Sequence, residues 1–211
     1  EEYETILTQY EKLPQQCRDN LIILEALGNA YIFTGKSKNA IETYKKISEL
    51  LPDEHEYKTI CYSIIGDIYH TLDQNSTSYK YYEMALERDP NMTSVLNNYA
   101  YYLSLERRNL KKALQMSRKS IDIEPNNSTY LDTYGWILYL TGDLEGAKKY
   151  LKQALVYGGK TSAVIIDHYA EVLFALGEYD LAFMYWSDAH KLSPTMGFDK
   201  KIEDKKRKIK R

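Results

Sequence analysis

The stretch LDTYGWILYLTGDLEGAKKYL, residues 131–151, consists of two amphipathic halves separated by a glycine. Large apolar residues recur at helical spacing in the first half, at Leu131, Tyr134 and Leu138, and the second half repeats this spacing. Gly142 lies between the halves, where a glycine readily ends one helix and starts a tight turn. The stretch therefore predicts a helical hairpin.

The same hairpin pattern recurs along the chain, at starts separated by 38, 34, 35 and 35 residues. Two positions are small in every copy, because closely packed helices need small residues where their backbones approach. The eighth position holds Gly28, Gly66, Ala100, Gly135 or Ala170. The twentieth, with one extra residue allowed in the third copy, holds Ala40, Ser78, Ala113, Ala147 or Ala182. One hairpin cannot bury its apolar face alone, so the copies are predicted to stack into a solenoid.

A period near 34 residues with this pattern resembles the tetratricopeptide repeat (TPR), whose signature runs W-x2-L-G-x2-Y, then A-x3-F, then P. The first copy reads LEALGNAY with AIETY, and the fourth reads LDTYGWIL with AKKYL. The resemblance implies an all-α, right-handed superhelical solenoid of antiparallel helical hairpins, one continuous domain over residues 1–211. Its predicted parts are the second helix of a preceding unit at 1–14, five TPR units at 21–54, 59–92, 93–127, 128–161 and 163–196, and a basic C-terminal capping helix at 197–211.

Charge is distributed unevenly along the chain. The last thirteen residues, DKKIEDKKRKIKR, hold eight Lys or Arg against three Asp or Glu, so they carry +5 while the other 198 residues carry −7. Such a tail could bind nucleic acid, but acidic residues interrupt it and no aromatic residues are interleaved for base stacking. We interpret it as a solvated capping helix and predict no nucleic-acid partner. No apolar run reaches the roughly 18 residues of a membrane span, so membrane attachment is expected only through an anchor N-terminal to residue 1.

The string GKT at residues 159–161 matches the end of the phosphate-binding loop G-x4-G-K-[ST]. The first glycine of that motif would fall at Ala154, and the preceding segment has helical rather than strand periodicity. We therefore interpret the string as a turn between repeats. The four histidines are scattered, and no metal-ligand spacing or nucleophile–histidine–acid arrangement is present. The sequence predicts no enzyme activity, no cofactor, no metal site and no small-molecule substrate.

The TPR resemblance places the candidate binding surface on the first helix of each unit, where the fifth, ninth and twelfth positions line a groove. The lysines and arginines with which some TPR proteins clamp a C-terminal carboxylate are missing from these positions. Aromatic and acidic residues occupy them instead. The candidate groove residues are Asn29, Asp67, Tyr101, Asp132, Trp136, Tyr139, Asp167, Glu171 and Phe174.

Trp136 leaves two interpretations open. An indole in a groove is a typical binding hot spot, but it could equally pack against a neighbouring helix or a terminal segment. We predict a non-catalytic scaffold that binds a protein or peptide in the groove. The alternative is a self-assembly module whose groove is filled by its own segment or by another copy. The last three units are also similar to the C-terminal arrays of larger, often envelope-associated, bacterial TPR proteins. That similarity implies a periplasmic or membrane-tethered location, with the cytoplasm as the alternative.

Overall fold

The computed structural model describes residues 2–209, and every regular element within them is a helix or a short 3-10 turn. Residue 1 and residues 210–211, which belong to the predicted segments 1–14 and 197–211, lie outside the described residues. The chain divides into two compact units, the first ending at Val95 and the second beginning at Leu96.

The first unit is a set of helices joined by short turns, in which α2 packs on α3 and α4 packs on α5 as antiparallel hairpins. Its core is built from the apolar faces of these helices and includes Leu24, Tyr44, Ile47 and Ile65. The helices are α1 Glu2–Lys12, α2 Leu21–Phe33, α3 Ser37–Leu50, α4 Tyr57–Thr71 and α5 Asn75–Arg88.

The second unit contains the remaining hairpins and a last single helix. Leu131, Leu151, Leu173 and Trp186 lie in its core and are almost completely buried. The helices are α6 Thr93–Leu105, of which residues 93–95 fall in the first unit, α7 Leu110–Ile123, α8 Ser128–Thr141, α9 Leu144–Val156, α10 Ala163–Ala175, α11 Tyr179–Leu192 and α12 Phe198–Ile209. The predicted fold class, an all-α array of helical hairpins, is confirmed.

The small eighth position of the repeat has a direct structural cause. A Cβ atom at Gly66 would lie 2.6 Å from the ring of Tyr82, and one at Gly28 would lie 2.8 Å from the ring of Tyr44. Both distances are too short for carbon–carbon contact. Glycine is therefore needed where an aromatic side chain of the second helix lies against the backbone of the first.

The GKT string forms a 3-10 turn, Gly159–Thr161, that follows helix α9 rather than a strand. Gly158 before it has φ +114°, a value that favours glycine. A Cβ at Gly159 would lie 2.7 Å from the carbonyl oxygen of Ala154. Ser162 then accepts a hydrogen bond from the Ile165 N–H and begins α10. These two glycines thus serve the tight connection between two hairpins.

Candidate partner-binding face

Two of the candidate groove residues lie in the first unit, and each accepts a hydrogen bond from a buried tyrosine. Asn29 Oδ1 accepts one from the Tyr44 hydroxyl at 2.8 Å, and the Asp67 carboxylate accepts one from the Tyr82 hydroxyl. Both tyrosine side chains are fully buried, and a buried hydroxyl needs such a partner. Asn29 and Asp67 therefore have a structural role in holding the two helices of their hairpins together.

The other candidate residues lie in the second unit, on the first helices of its hairpins. We call the surface that they form the A-helix face. It consists of Tyr101 on α6, Asp132, Trp136 and Tyr139 on α8, and Asp167, Glu171 and Phe174 on α10.

Trp136 is half-buried and stacks on rings from two sources. Its ring centroid lies 4.1 Å from that of His168 on α10, with 15° between the planes, and 5.0 Å from that of Tyr139. Behind it, His168 Nδ1 lies 2.9 Å from Asp132 Oδ1, and both of these side chains are buried. The indole therefore packs against the neighbouring helix and still presents part of its surface outward.

A depression of about 320 Å³ lies between α6, α8 and α10. Its lining includes Asn97, Tyr101 and Asp132. Asn97 is 3% exposed, and its Oδ1 has no hydrogen-bond partner among the described residues. Burial and the negative charge of Asp132 raise the pKa of Tyr101 above its ordinary value, so this phenol keeps its proton at neutral pH and can donate a hydrogen bond. The depression thus offers the Tyr101 hydroxyl as a donor, while Asn97 Oδ1 is buried beneath its surface.

The carboxylates of α10 bind the C-terminal helix α12. Lys201 Nζ contacts the Asp167 carboxylate and lies 2.8 Å from Glu171 Oε1, and Lys205 Nζ lies 2.6 Å from Glu171 Oε2. Asp167 Oδ1 also accepts a hydrogen bond from the Trp186 indole N–H at 2.7 Å. Two of the predicted acidic groove residues, Asp167 and Glu171, are therefore paired with lysines of α12, while Asp132 lies against His168.

Aromatic and apolar contacts add to these ion pairs. Lys205 Nζ lies 4.4 Å from the ring centroid of Phe174 and 5.3 Å from that of Trp186, both within cation–π range. Phe198 at the start of α12 is 2% exposed, and Ile202 packs against the same core. These contacts give the basic tail a specific position on the protein rather than a purely solvated one.

The ion pairs predict that α12 leaves α10 at both extremes of pH. Burial acts to raise the pKa of Glu171, but hydrogen bonds from Lys201 and Lys205 outweigh it and hold the pKa below its ordinary value. The contribution of the ionised Glu171 carboxylate to the docking of α12 is complete above the ordinary pKa of glutamate. It is lost as the pH falls through the lowered pKa of Glu171. Burial acts to lower the pKa of Lys201, but Asp167 and Glu171 raise it overall. The contribution of the Lys201 ammonium to docking is therefore lost only as the pH rises through this raised pKa.

We therefore expect docking to be constant between about pH 5 and 10. Trp186 reports it if Trp136→Phe first removes the other indole, since Trp186 touches Lys201 and Lys205. The emission of Trp186 should change outside this range while the far-ultraviolet circular dichroism keeps most of its helical signal. Emission that stays unchanged at both extremes of pH would contradict these ion-pair assignments.

Four residues of this site, His168, Trp186, Lys201 and Lys205, were not among the sequence candidates. The two lysines could have been found from the repeat period, because Lys201 and Lys205 each follow their carboxylate partner by 34 residues, which is one repeat. They therefore occupy in α12 the register that Asp167 and Glu171 occupy in α10. The partners of His168 and Trp186 depend on how neighbouring helices cross, and the repeat pattern does not give that.

Among residues 2–209, no group of three or more His, Cys, Asp or Glu side chains is placed to hold a metal ion. None of the helices described there is both long enough and apolar enough to cross a membrane.

Hairpins of this length, with small residues at their crossings and one face built from the first helices, define a helical-repeat protein. A family model for the tetratricopeptide repeat matches residues 23–54, 61–92 and 129–155. Tetratricopeptide repeats are thus present at these residues, as the sequence predicted.

The chain is also similar to a known protein and to solved structures. The chain is 25% identical over 171 residues to BBSome complex member BBS4 of Bos taurus, a match that covers 81% of the chain and 31% of that relative. Among solved structures, pilF of Pseudomonas aeruginosa superposes with a TM-score of 0.70 at 20% identity, over 82% of this chain and 76% of that one. YrrB, a TPR protein, superposes with a TM-score of 0.67 at 14% identity, over 92% of this chain and 97% of that one.

TPR proteins are in general non-catalytic scaffolds for protein–protein interaction, and they bind protein or peptide partners. The chain spans less than a third of the length of BBS4. The likeness to the solved structures concerns the fold.

Proposed function

We propose that this protein is a non-catalytic scaffold that binds a segment of a partner protein on the A-helix face of its second unit. The observation that carries this proposal is a stack of three rings, in which Tyr139 lies on Trp136 and Trp136 lies on His168. The buried carboxylate of Asp132 holds the His168 ring from behind. Half-exposed aromatic rings that are already fixed lose little side-chain entropy on binding, and Trp and Tyr dominate binding hot spots.

The depression beside α6 supports an extended polypeptide as the ligand. A peptide backbone offers carbonyl acceptors, which match the protonated hydroxyl of Tyr101 in this depression. YrrB, a TPR protein, has an unusual peptide-binding site. This supports peptide recognition on this fold. The bacterial envelope setting remains a prediction of the sequence resemblance.

Self-assembly is the second candidate function, and α12 is the observation that favours it. The helix already pairs with the groove positions Asp167 and Glu171 within one chain, so a second copy could supply the same contacts. Light scattering over a range of concentrations distinguishes the two functions, because a strict monomer excludes self-assembly.

Site-specific photo-crosslinking tests the proposed face. A benzoylphenylalanine at Tyr139, beside Trp136, should form a discrete covalent adduct with one partner in cells that make the protein. The matched control is the same photoreactive residue at Lys152, an exposed position on α9. We expect an adduct from position 139 and none from position 152. Adducts from position 152 alone, or equal adducts from both positions, would place the binding surface elsewhere.

A further inference from the structure

Helix α12 occupies the end of the A-helix face in the manner of a bound ligand. Its two lysines lie one helical turn apart and meet two carboxylates that lie one turn apart on α10. On the same side of α12, Phe198 and Ile202 pack against the core. The contact is therefore a matched pattern of apolar, basic, apolar and basic residues at positions 198, 201, 202 and 205.

The ion pairs are shielded but not sealed. The side chains of Lys201, Lys205, Asp167 and Glu171 keep 28%, 19%, 21% and 13% of their exposure. Water and a competing cation can therefore reach each of them. Apart from Phe198, every described residue of α12 is at least partly exposed, so the helix has little buried apolar surface to retain it once the ion pairs are exchanged.

We propose that the α10 end of the A-helix face is a receptor for a basic amphipathic helix of a partner protein, and that α12 is a displaceable occupant of it. The partner helix would carry the pattern Φ-x-x-K-Φ-x-x-K, with Φ a large apolar residue. Charge complementarity identifies this chemistry, because Asp167 and Glu171 would remain as an uncompensated acidic pair beside Phe174 and Trp186 when α12 leaves. This inference rests on the proposed function and names the class of partner segment at the α10 end of the face; the extended segment proposed above would lie in the depression beside α6.

The test uses the full chain with Lys201→Glu and Lys205→Glu, which repels α12 from α10. The matched control is Lys200→Glu with Lys208→Glu, which makes the same change in net charge at exposed positions of α12. Hydrogen exchange should show faster exchange in α12 of the first variant only. The probe is a fluorescein-labelled peptide with the sequence of residues 197–209, and its binding is followed by fluorescence anisotropy. We expect the first variant to bind the probe at least about tenfold more tightly than either the wild type or the control.

Further probes test the partner class. A peptide that keeps only the Φ-x-x-K-Φ-x-x-K pattern, with alanine or glutamine elsewhere, should bind within about threefold of the first probe. A peptide with both lysines replaced by glutamate should not bind, and Asp167→Lys with Glu171→Lys should abolish binding of the basic peptides.

Any of the following results would overturn the inference. One is equal binding by the variant and the control, and another is unchanged exchange of α12 in the variant. A further one is binding of the peptide with the native sequence of residues 197–209 without binding of the pattern peptide. Wild-type dimers that exchange α12 are another. Either result would mean that α12 is specific to copies of this chain. Loss of peptide binding together with a retained crosslink at position 139 would defeat this inference and leave the proposed function standing.

Discussion

Trp186→Ala is expected to lower the free energy of unfolding of the second unit by about 3–5 kcal/mol, the range for removing a fully buried aromatic side chain. The Trp186 side chain is completely buried and lies against Phe174 and Phe183. Its indole N–H donates to Asp167. The alanine variant would therefore leave a cavity and also remove a donor from a carboxylate that helps to hold α12.

The measurement is urea unfolding, with hydrogen exchange resolved by helix so that each unit is followed separately. The loss should appear in α10, α11 and α12 and should spare α2 to α5. Trp136→Ala is the internal comparison, because its ring is only half-buried and its loss should cost no more than about 1–2 kcal/mol. Equal losses for the two variants would mean that Trp136, too, is a core residue.

The hairpins and their packing could be predicted from the sequence because both follow from a period. Apolar residues at helical spacing give the helices, and glycine at position 28 or 66 marks a place where a side chain would collide with the facing ring. The glycines at 158 and 159 likewise identify a turn, because no strand could precede them. Each of these inferences needs only the residue type and its place in the repeat.

The partners of the charged residues on the A-helix face could not be predicted from the repeat period in the same way. Asp132 and Asp167 stand at the same repeat position, yet one is buried against His168 and the other bonds Trp186 and Lys201. Their different partners depend on long side chains from adjacent helices, whose tips move by several ångströms with small changes in helix crossing. The repeat pattern therefore placed these residues on the first helices of their hairpins but did not show which of their charges were already paired.

Trp136→Ala is expected to weaken binding of the crosslinked partner by roughly 30-fold or more, which corresponds to about 2 kcal/mol for a hot-spot aromatic residue. The indole is the largest ring that the A-helix face presents to solvent, and its stack on His168 fixes it before the partner arrives. Trp136→Phe keeps a ring in the stack and should retain most of the affinity. Tyr157→Ala removes an exposed aromatic ring outside the face and should leave the affinity unchanged.

The central claim is that the second unit binds its partner through this face, and the most direct measurement is the dissociation constant of that partner by titration calorimetry. Wild type, Trp136→Ala, Trp136→Phe and Tyr157→Ala are compared at one temperature, with their unfolding curves recorded alongside. The account predicts a large loss of affinity for Trp136→Ala alone, with its free energy of unfolding lowered by no more than about 1–2 kcal/mol. An unchanged dissociation constant for Trp136→Ala would contradict it.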